Sequence, residues 1–208
     1  MPPRAGKFES CAGEVSEMGI YETVISRRSI RRFKDIPIPR EILERCINAA
    51  RLVPSAANMQ PLEYIVVDDD QLLPQVFSAL KWAAYISPMG DPPEGRRPKA
   101  YIVILEDRNA ADAASIYDAG AAMESMMLVA LEEGLGSCPF ASVERDKVRN
   151  ILNIPGNYEI LLVLALGYPD ESPVAEPFNG SVRYWKDEDG VLHVPKKKLE
   201  AVLHWNAF

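Results

Sequence analysis

The sequence predicts an α+β fold, a mixed central sheet flanked by helices, and two observations carry that reading. Three apolar runs have strand length and composition: Tyr64, Ile65, Val66 and Val67; residues 101–105; and the unbroken run at residues 160–166. Around them lie stripes of helical period, most clearly over residues 115–133. A chain of 208 residues can bury one full core, so a single domain is expected over residues 20–208. Residues 1–19 mix Arg4, Lys7, Glu9, Glu14 and Glu17 with no apolar stretch, so they read as a flexible tail and not as a secretory signal.

From the N-terminal side, Ile20, Tyr21, Val24 and Ile25 form a helical stripe that ends where a basic stretch begins at Arg27. Beyond Pro37 and Pro39, the residues Ile42, Leu43, Cys46, Ile47 and Ala50 mark a second amphipathic helix, which stops at Val53 before Pro54. Residues 54–61, Pro-Ser-Ala-Ala-Asn-Met-Gln-Pro, make a rigid polar loop leading into the first strand. Residues 71–85 are expected to be helical, and residues 86–99, rich in proline and glycine, to be a lid or a mobile connector.

After the second strand, the stripe at 115–133 is apolar on almost every face through Ala119, Ala122, Met123, Met126, Met127 and Val129, so it predicts an enclosed helix at the centre of the core. Residues 134–140 end that helix and are not a Rossmann fingerprint, because they follow a helix where the fingerprint follows a strand. Ser142 is expected to cap a short helix carrying Val148, Ile151 and Leu152. The last core strand closes on Gly167, Tyr168 and Pro169. A hairpin is expected from residues 182–186 and 191–194 around Asp187-Glu188-Asp189-Gly190, then a short basic helix over 196–205.

Composition excludes several classes of function. A net charge of −7 disfavours nucleic acid or an anionic membrane as the main partner. The apolar run at 160–166 is far short of the ~20 residues of a spanning helix. Cys11, Cys46 and Cys138 are odd in number and form no C-x-x-C pair, with only His193 and His204 beside them, so neither a metal site nor a disulfide framework is expected. That fits a reducing cytoplasm. Cys46 lies on an apolar helix face and reads as an inert core thiol; Cys138 has no histidine before His193 to activate it.

The basic stretch is the strongest chemical signal. Residues 27–33, Arg-Arg-Ser-Ile-Arg-Arg-Phe, put four arginines and a hydroxyl into an acidic protein. If extended, Arg27, Ser29 and Arg31 share one face and Arg28, Ile30 and Arg32 the other. Such a face can grip an elongated anion, since guanidinium forks match phosphate oxygens. A solvated basic turn after a helix explains the same residues, because cations suit a helix C-terminus. In the loop at 54–61, Ser55, Asn58 and Gln60 offer neutral donors and acceptors for rings and hydroxyls, or serve only as turn chemistry.

Taken together, these motifs resemble the nitroreductase superfamily of FMN-dependent oxidoreductases. The resemblance runs from about Ile20 to Arg183 and rests on Arg-Arg-Ser-x-Arg-x-Phe at 27–33, Pro-Ser-x-x-Asn-x-Gln-Pro at 54–61, Gly-Leu-Gly-Ser-Cys at 134–138 and the Gly-Tyr-Pro at 167–169, all in register. It implies that Arg27 and Ser29, with Arg28 close by, hold the FMN phosphate and ribityl chain, and that Arg31 reaches the pyrimidine end. It implies flavin contacts from the partner subunit of an intertwined homodimer through the loop of Pro54, Ser55, Asn58 and Gln60. It places Leu135, Gly136 and Ser137 near the pyrimidine and N5 edge and assigns Arg183 to the phosphate. Where many members carry an aromatic residue followed by Ile-Gly, this chain has Pro139, Phe140 and Ala141.

The implied activity is reduction of a small electrophile (a nitroaromatic, quinone or enone) with NADH or NADPH as donor, by a ping-pong hydride transfer through FMN. No protein acid, base or nucleophile is then required, and Arg31 acts electrostatically. The same scaffold also implies alternatives: dehalogenation, flavin breakdown, or a flavin carrier or sensor without turnover. Deiodinases of the superfamily use Glu, Tyr and Lys from a lid in that order, whereas here Lys81, Tyr85 and Glu94 come in reverse.

Overall fold

The computed structural model describes residues 19–208. The tail expected over residues 1–19, Cys11 included, lies outside them but for Gly19. Helices α1 (Ile20–Ser26) and α2 (Arg40–Ala50) come first, then strand β1 (Leu62–Val67), the short helix α3 (Leu73–Phe77) and β2 (Ala100–Asp107). The long helix α4 (Ser115–Glu132), β3 (Gly136–Phe140), α5 (Arg145–Leu152) and β4 (Tyr158–Gly167) come next, and β5 (Val174–Pro177), β6 (Trp185–Lys186) and β7 (Leu192–Lys196) end the chain.

The α+β architecture arises from the alternation of side chains along β2 and β4. The central sheet has the order β1-β2-β4-β3. Ala100, Ile102 and Ile104 with Leu164 and Leu166 face Leu43, Cys46 and Ala50 of α2 and Ala119, Ala122, Met126 and Ala130 of α4. Tyr101, Val103 and Leu105 with Val163 and Ala165 face the other way, toward Val76 of α3, Val148 of α5, Trp82 and Phe140. Strands covered on both faces read as continuous apolar runs, which is how these two were legible. Each fully buried aliphatic side chain contributes about 1.5–3 kcal/mol. Within the chain every pairing of this sheet is antiparallel. Mixed pairing occurs instead in the small sheet, where β5 runs parallel and β6 antiparallel to β7.

Four local expectations are corrected. Residues 71–85 are not one helix: α3 ends at Phe77, Leu80 bridges Val143, and Ala83 is left-handed before a short turn at Ala84–Ile86. The cause is packing, since Trp82 is buried between Phe77 and Phe140 at ring distances of 5.2 and 4.5 Å. Residues 136–140 form an edge strand, where Pro139 is tolerated because one side of the ladder is open. Glu144, not Ser142, precedes α5; the Ser142 carbonyl accepts the Lys81 N–H at 3.1 Å instead. The C-terminal helix is reduced to a single turn, Leu199–Ala201, and Lys196 belongs to β7. The expected hairpin forms, though β6 is shorter than expected and β7 runs on to Lys196.

The junction of α4 and β3 fixes where the edge strand begins. Gly134 is left-handed (φ 74°), the Leu135 N–H donates to the Ala130 carbonyl at 2.8 Å, and the Gly134 N–H to Leu131 at 3.0 Å. This Schellman closure ends α4 cleanly and turns the chain directly into β3.

Candidate cofactor site

Residues 27–33 run past the paired ends of β3 and β4, where Gly136 and Gly167 are cross-strand partners. Two apolar residues hold this strap down. A β-carbon on Gly136 would stand 2.7 Å from Ile30 Cγ1, and one on Gly167 would stand 2.6 Å from Phe33 Cδ1. The Ile30 N–H donates to the Ser137 carbonyl at 2.8 Å, the Phe33 N–H to Arg96 at 3.0 Å and the Lys34 N–H to Tyr168 at 2.8 Å. With anchors three residues apart, the strap does not alternate strictly between two faces. Ile30 and Phe33 turn inward, and Arg27, Arg28, Ser29, Arg31 and Arg32 all stay partly exposed.

The cations of the strap have unspent donors. The Nε atoms of Arg27 and Arg28 are buried without a hydrogen-bond partner among the described residues. Arg27 Nε approaches Glu124 Oε1 of α4 at 3.2 Å as an ion pair only, and Arg28 turns Nη1 back to the carbonyls of Ile25 and Arg27, each at 2.7 Å. Arg28 therefore also closes the end of α1. Glu171 Oε1 accepts the backbone N–H groups of Arg31 and Arg32 at 2.6 and 3.3 Å. Burial, and then the charges of Arg32 and Arg31, hold the Lys186 ammonium below the usual lysine range against the pull of Glu171. A half-buried cation crowded by cations is a place where an anion is favourable.

Lys186, Glu171 and Tyr184 are participants that sequence patterns did not mark. Arg31 lies over the Tyr184 ring at 5.2 Å, Tyr184 packs on Tyr85 at 4.9 Å, and Arg183 lies over Tyr85 at 5.5 Å. Arg183 is thus exposed and engaged with Tyr85, while Lys186 is the tail cation that feels Arg31 and Arg32.

The strap meets Gly136 and Ser137 directly, through Ile30 and with Ser29 bridged to Ser137, and Leu135 precedes them in the chain. It does not meet the loop of Pro54, Ser55, Asn58 and Gln60 through α4. That loop hangs on the first turn of α4, where the Ala56 N–H donates to the buried Asp118 carboxylate at 3.3 and 3.4 Å, whereas Arg27 pairs with Glu124. Six helical residues separate these anchors by about 9 Å along the axis and about 120° around it. The loop is strained: Ala57, Asn58 and Gln60 have φ of 48°, 56° and 50°, and the Ser55 hydroxyl accepts the Gln60 N–H at 3.0 Å. Non-glycine residues held in this region cost energy that the surroundings must supply, and such positions cluster at functional sites.

Neither thiol of the described residues has the character of a nucleophile. Burial pushes both Cys46 and Cys138 up to about 11.

The nitroreductase family profile matches residues 24–168, which contain the strap, the 54–61 loop, α4 and β1 to β4. The chain belongs to the nitroreductase family. It is 31% identical over 182 residues to an NADH dehydrogenase of Thermus thermophilus, covering 71% of this chain and 85% of that protein. It is 26% identical over 175 residues to an iodotyrosine deiodinase of Thermotoga neapolitana, covering 77% and 94%. Among solved structures, an FMN-dependent nitroreductase of Clostridium difficile superposes with a TM-score of 0.65 at 26% identity, over 91% of this chain and 100% of that one. Nitroreductase-family proteins are oxidoreductases that work with flavin, and the donors found here fit such a group. The Arg28 Nε, unpartnered among the described residues, the Arg27 guanidinium, held at Nε only by an ion pair to Glu124, and a lysine crowded by cations suit a dianionic phosphate.

Proposed function

We propose that this protein is an NAD(P)H-dependent FMN oxidoreductase that reduces small electrophiles such as nitroaromatics, quinones and enones, and that it works as a homodimer. The observation that carries the reading is the strap: four arginines in seven residues, pinned by Ile30 and Phe33 onto paired glycines, with the buried Arg28 Nε unpartnered among the described residues and Arg27 Nε held only by an ion pair to Glu124. Bound FMN would supply the two-electron chemistry, in one half-reaction with the nicotinamide and a second with the acceptor. Arg27, Arg28 and Ser29 would hold the phosphate and ribityl chain, and Lys186 joins them as the tail cation, with Arg183 held over Tyr85. Arg31, fixed over Tyr184, would set a positive charge at the pyrimidine end, where charge develops on reduction. The buried, neutral thiol of Cys138 takes no part, and the two buried thiols fit a reducing cytoplasm.

Two features favour the dimer. Ile20 and Tyr21 of α1 are 86% and 70% exposed and Tyr117 of α4 is 76% exposed, so large apolar side chains on α1 and α4 are left uncovered by the described residues. A second copy on this face would carry its strained 54–61 loop toward the strap, supplying the Ser55, Asn58 and Gln60 contacts that one chain keeps apart. Sedimentation of the purified protein should give twice the chain mass.

The deciding experiment is an anaerobic visible spectrum before and after NADH or NADPH, followed by a nitroaromatic or quinone. Bleaching by one donor and recovery with acceptor is the expected result; no flavin band even after FMN addition would overturn the reading. A halotyrosine belongs in the same assay because one relative is a deiodinase. The residues expected for that chemistry are differently engaged: Tyr85 packs on Tyr184 and Glu94 lines a separate cavity.

A further inference from the structure

A cavity of about 300 Å³, apart from the strap, opens beneath residues 94–99, on the sheet face opposite α2 and α4. We propose that it binds a small zwitterion of amino-acid type, its carboxylate toward Arg97 and Tyr101 and its cationic group toward Asp70 and Glu94. Leu73, Pro74 and Phe77 of α3 with Pro98 provide apolar wall for a short side chain.

The polar groups around this space are unmatched. Tyr101 is fully buried in β2, and its hydroxyl has no hydrogen-bond partner among the described residues. Buried phenols are normally hydrogen-bonded, so an orphan beside a cavity marks a missing partner. Burial raises this phenol above the usual tyrosine range, so it stays neutral and keeps its O–H to donate. Arg97 has a buried Nε with no hydrogen-bond partner among the described residues, and its guanidinium lies 4.3 Å over the Phe77 ring, which fixes its place. Both orphans are donors, and together they call for a carboxylate.

Charge then selects the rest of the ligand. Lys99 and Asp35 at the rim neutralise each other at 2.8 Å. That leaves Arg97, Asp70 and Glu94 lining the cavity with no ion pair among the described residues. A simple anion would satisfy Arg97 and face two carboxylates, and a simple cation would leave Arg97 and Tyr101 unmet. A zwitterion answers both sets.

The test is calorimetric titration of the full-length protein with L-leucine, L-leucinamide and N-acetyl-L-leucine. Leucine should bind saturably, and the two blocked analogues, each lacking one charge, should bind at least about tenfold more weakly, the scale of one charged hydrogen bond. Arg97→Gln and Tyr101→Phe should each weaken leucine by a similar factor. Asp70→Asn, at an exposed position that does not threaten folding, should weaken it too. No heat with leucine, as for a cavity holding only water, would overturn the proposal, and so would equal binding of the blocked analogues or unchanged affinity in Arg97→Gln. The readout is binding alone, so flavin content and turnover do not enter it.

Discussion

Ile30 sits so close to Gly136 that even its β-carbon would be only 2.8 Å from a methyl group placed on the glycine. The contact joins the basic stretch to β3 at the point where the backbone of Ile30 also bonds Ser137. A glycine is required here for approach, not for conformation. The arginines are thus placed by an apolar neighbour and not by their own charges.

Gly136→Ala should therefore displace the strap. Overpacking at such a contact costs about 1–3 kcal/mol, and because Cβ of Ile30 is itself in the way, trimming the isoleucine to alanine would not relieve it. The expected outcome is a lower melting temperature and weaker FMN retention on gel filtration. Gly156→Ala, with nothing within 4 Å of the added methyl, is the control and should change neither.

Ala57→Gly should stabilise the protein. Ala57 is held at φ 48°, where an L-residue loses about 1–2 kcal/mol that glycine does not. The gain is reduced by the larger entropy of an unfolded glycine, so a net rise of roughly 0.5–1 kcal/mol in urea unfolding is expected. A fall in stability would mean that Ala57 is not left-handed in solution.

The core and the strap were legible in the sequence for one reason: their signals are local. β2 and β4 are buried on both faces and read as unbroken apolar runs, and α4 announces itself by a long stretch that is apolar on almost every face. The strand at Gly136–Phe140 was not legible, because glycine, serine and proline carry little strand propensity and the pairing to β4 is a tertiary decision. The helix expected over 71–85 failed because Trp82 gains more in the core than a continued helix offers. At the site, Arg27, Ser29 and Arg31 stand out by composition, whereas Lys186 is one lysine in a charged tail and only folding brings it to Arg32. Asp118 carries no mark in the sequence of its role as the buried acceptor that holds the 54–61 loop.

Arg27 and Lys186 should separate from Arg183 in FMN binding. A charged phosphate contact is worth roughly 1.5–3 kcal/mol, so Arg27→Ala and Lys186→Ala should each weaken FMN by more than about tenfold. Arg183→Ala should do less, because its guanidinium is over Tyr85. The Lys186 charge is opposed by Arg32 and Arg31, so its removal should leave the flavin-free protein at least as stable. Fluorescence titration of apoprotein with FMN reads the first effect and thermal melting the second; a Lys186→Ala protein that binds FMN normally would return the phosphate to Arg183.

His193 makes the small sheet pH-dependent. Its Nε2 lies 3.0 Å from Asp187 Oδ2 and its Nδ1 3.2 Å from Glu176 Oε2, with the Trp185 ring stacked at 4.3 Å. Only the imidazolium can donate to both carboxylates. The hydrogen bond to Asp187 chiefly, with that to Glu176, raises His193 above the ordinary histidine value, and the same bond lowers Asp187. A raised folded pKa means that the histidine's contribution is complete below its unfolded value of about 6.5 and is lost as pH climbs through the folded value. The depressed aspartate contributes above about 3.9 and fades as pH falls further. The three strands should therefore be held together best between these limits, since His193 in β7 ties Glu176 of β5 to Trp185 of β6 and the Asp187 turn. An NMR titration of the His193 ring should find its midpoint above that of a free histidine, and Asp187→Asn should lower it; a midpoint at or below the free value would mean that the two carboxylates do not share the imidazolium in solution.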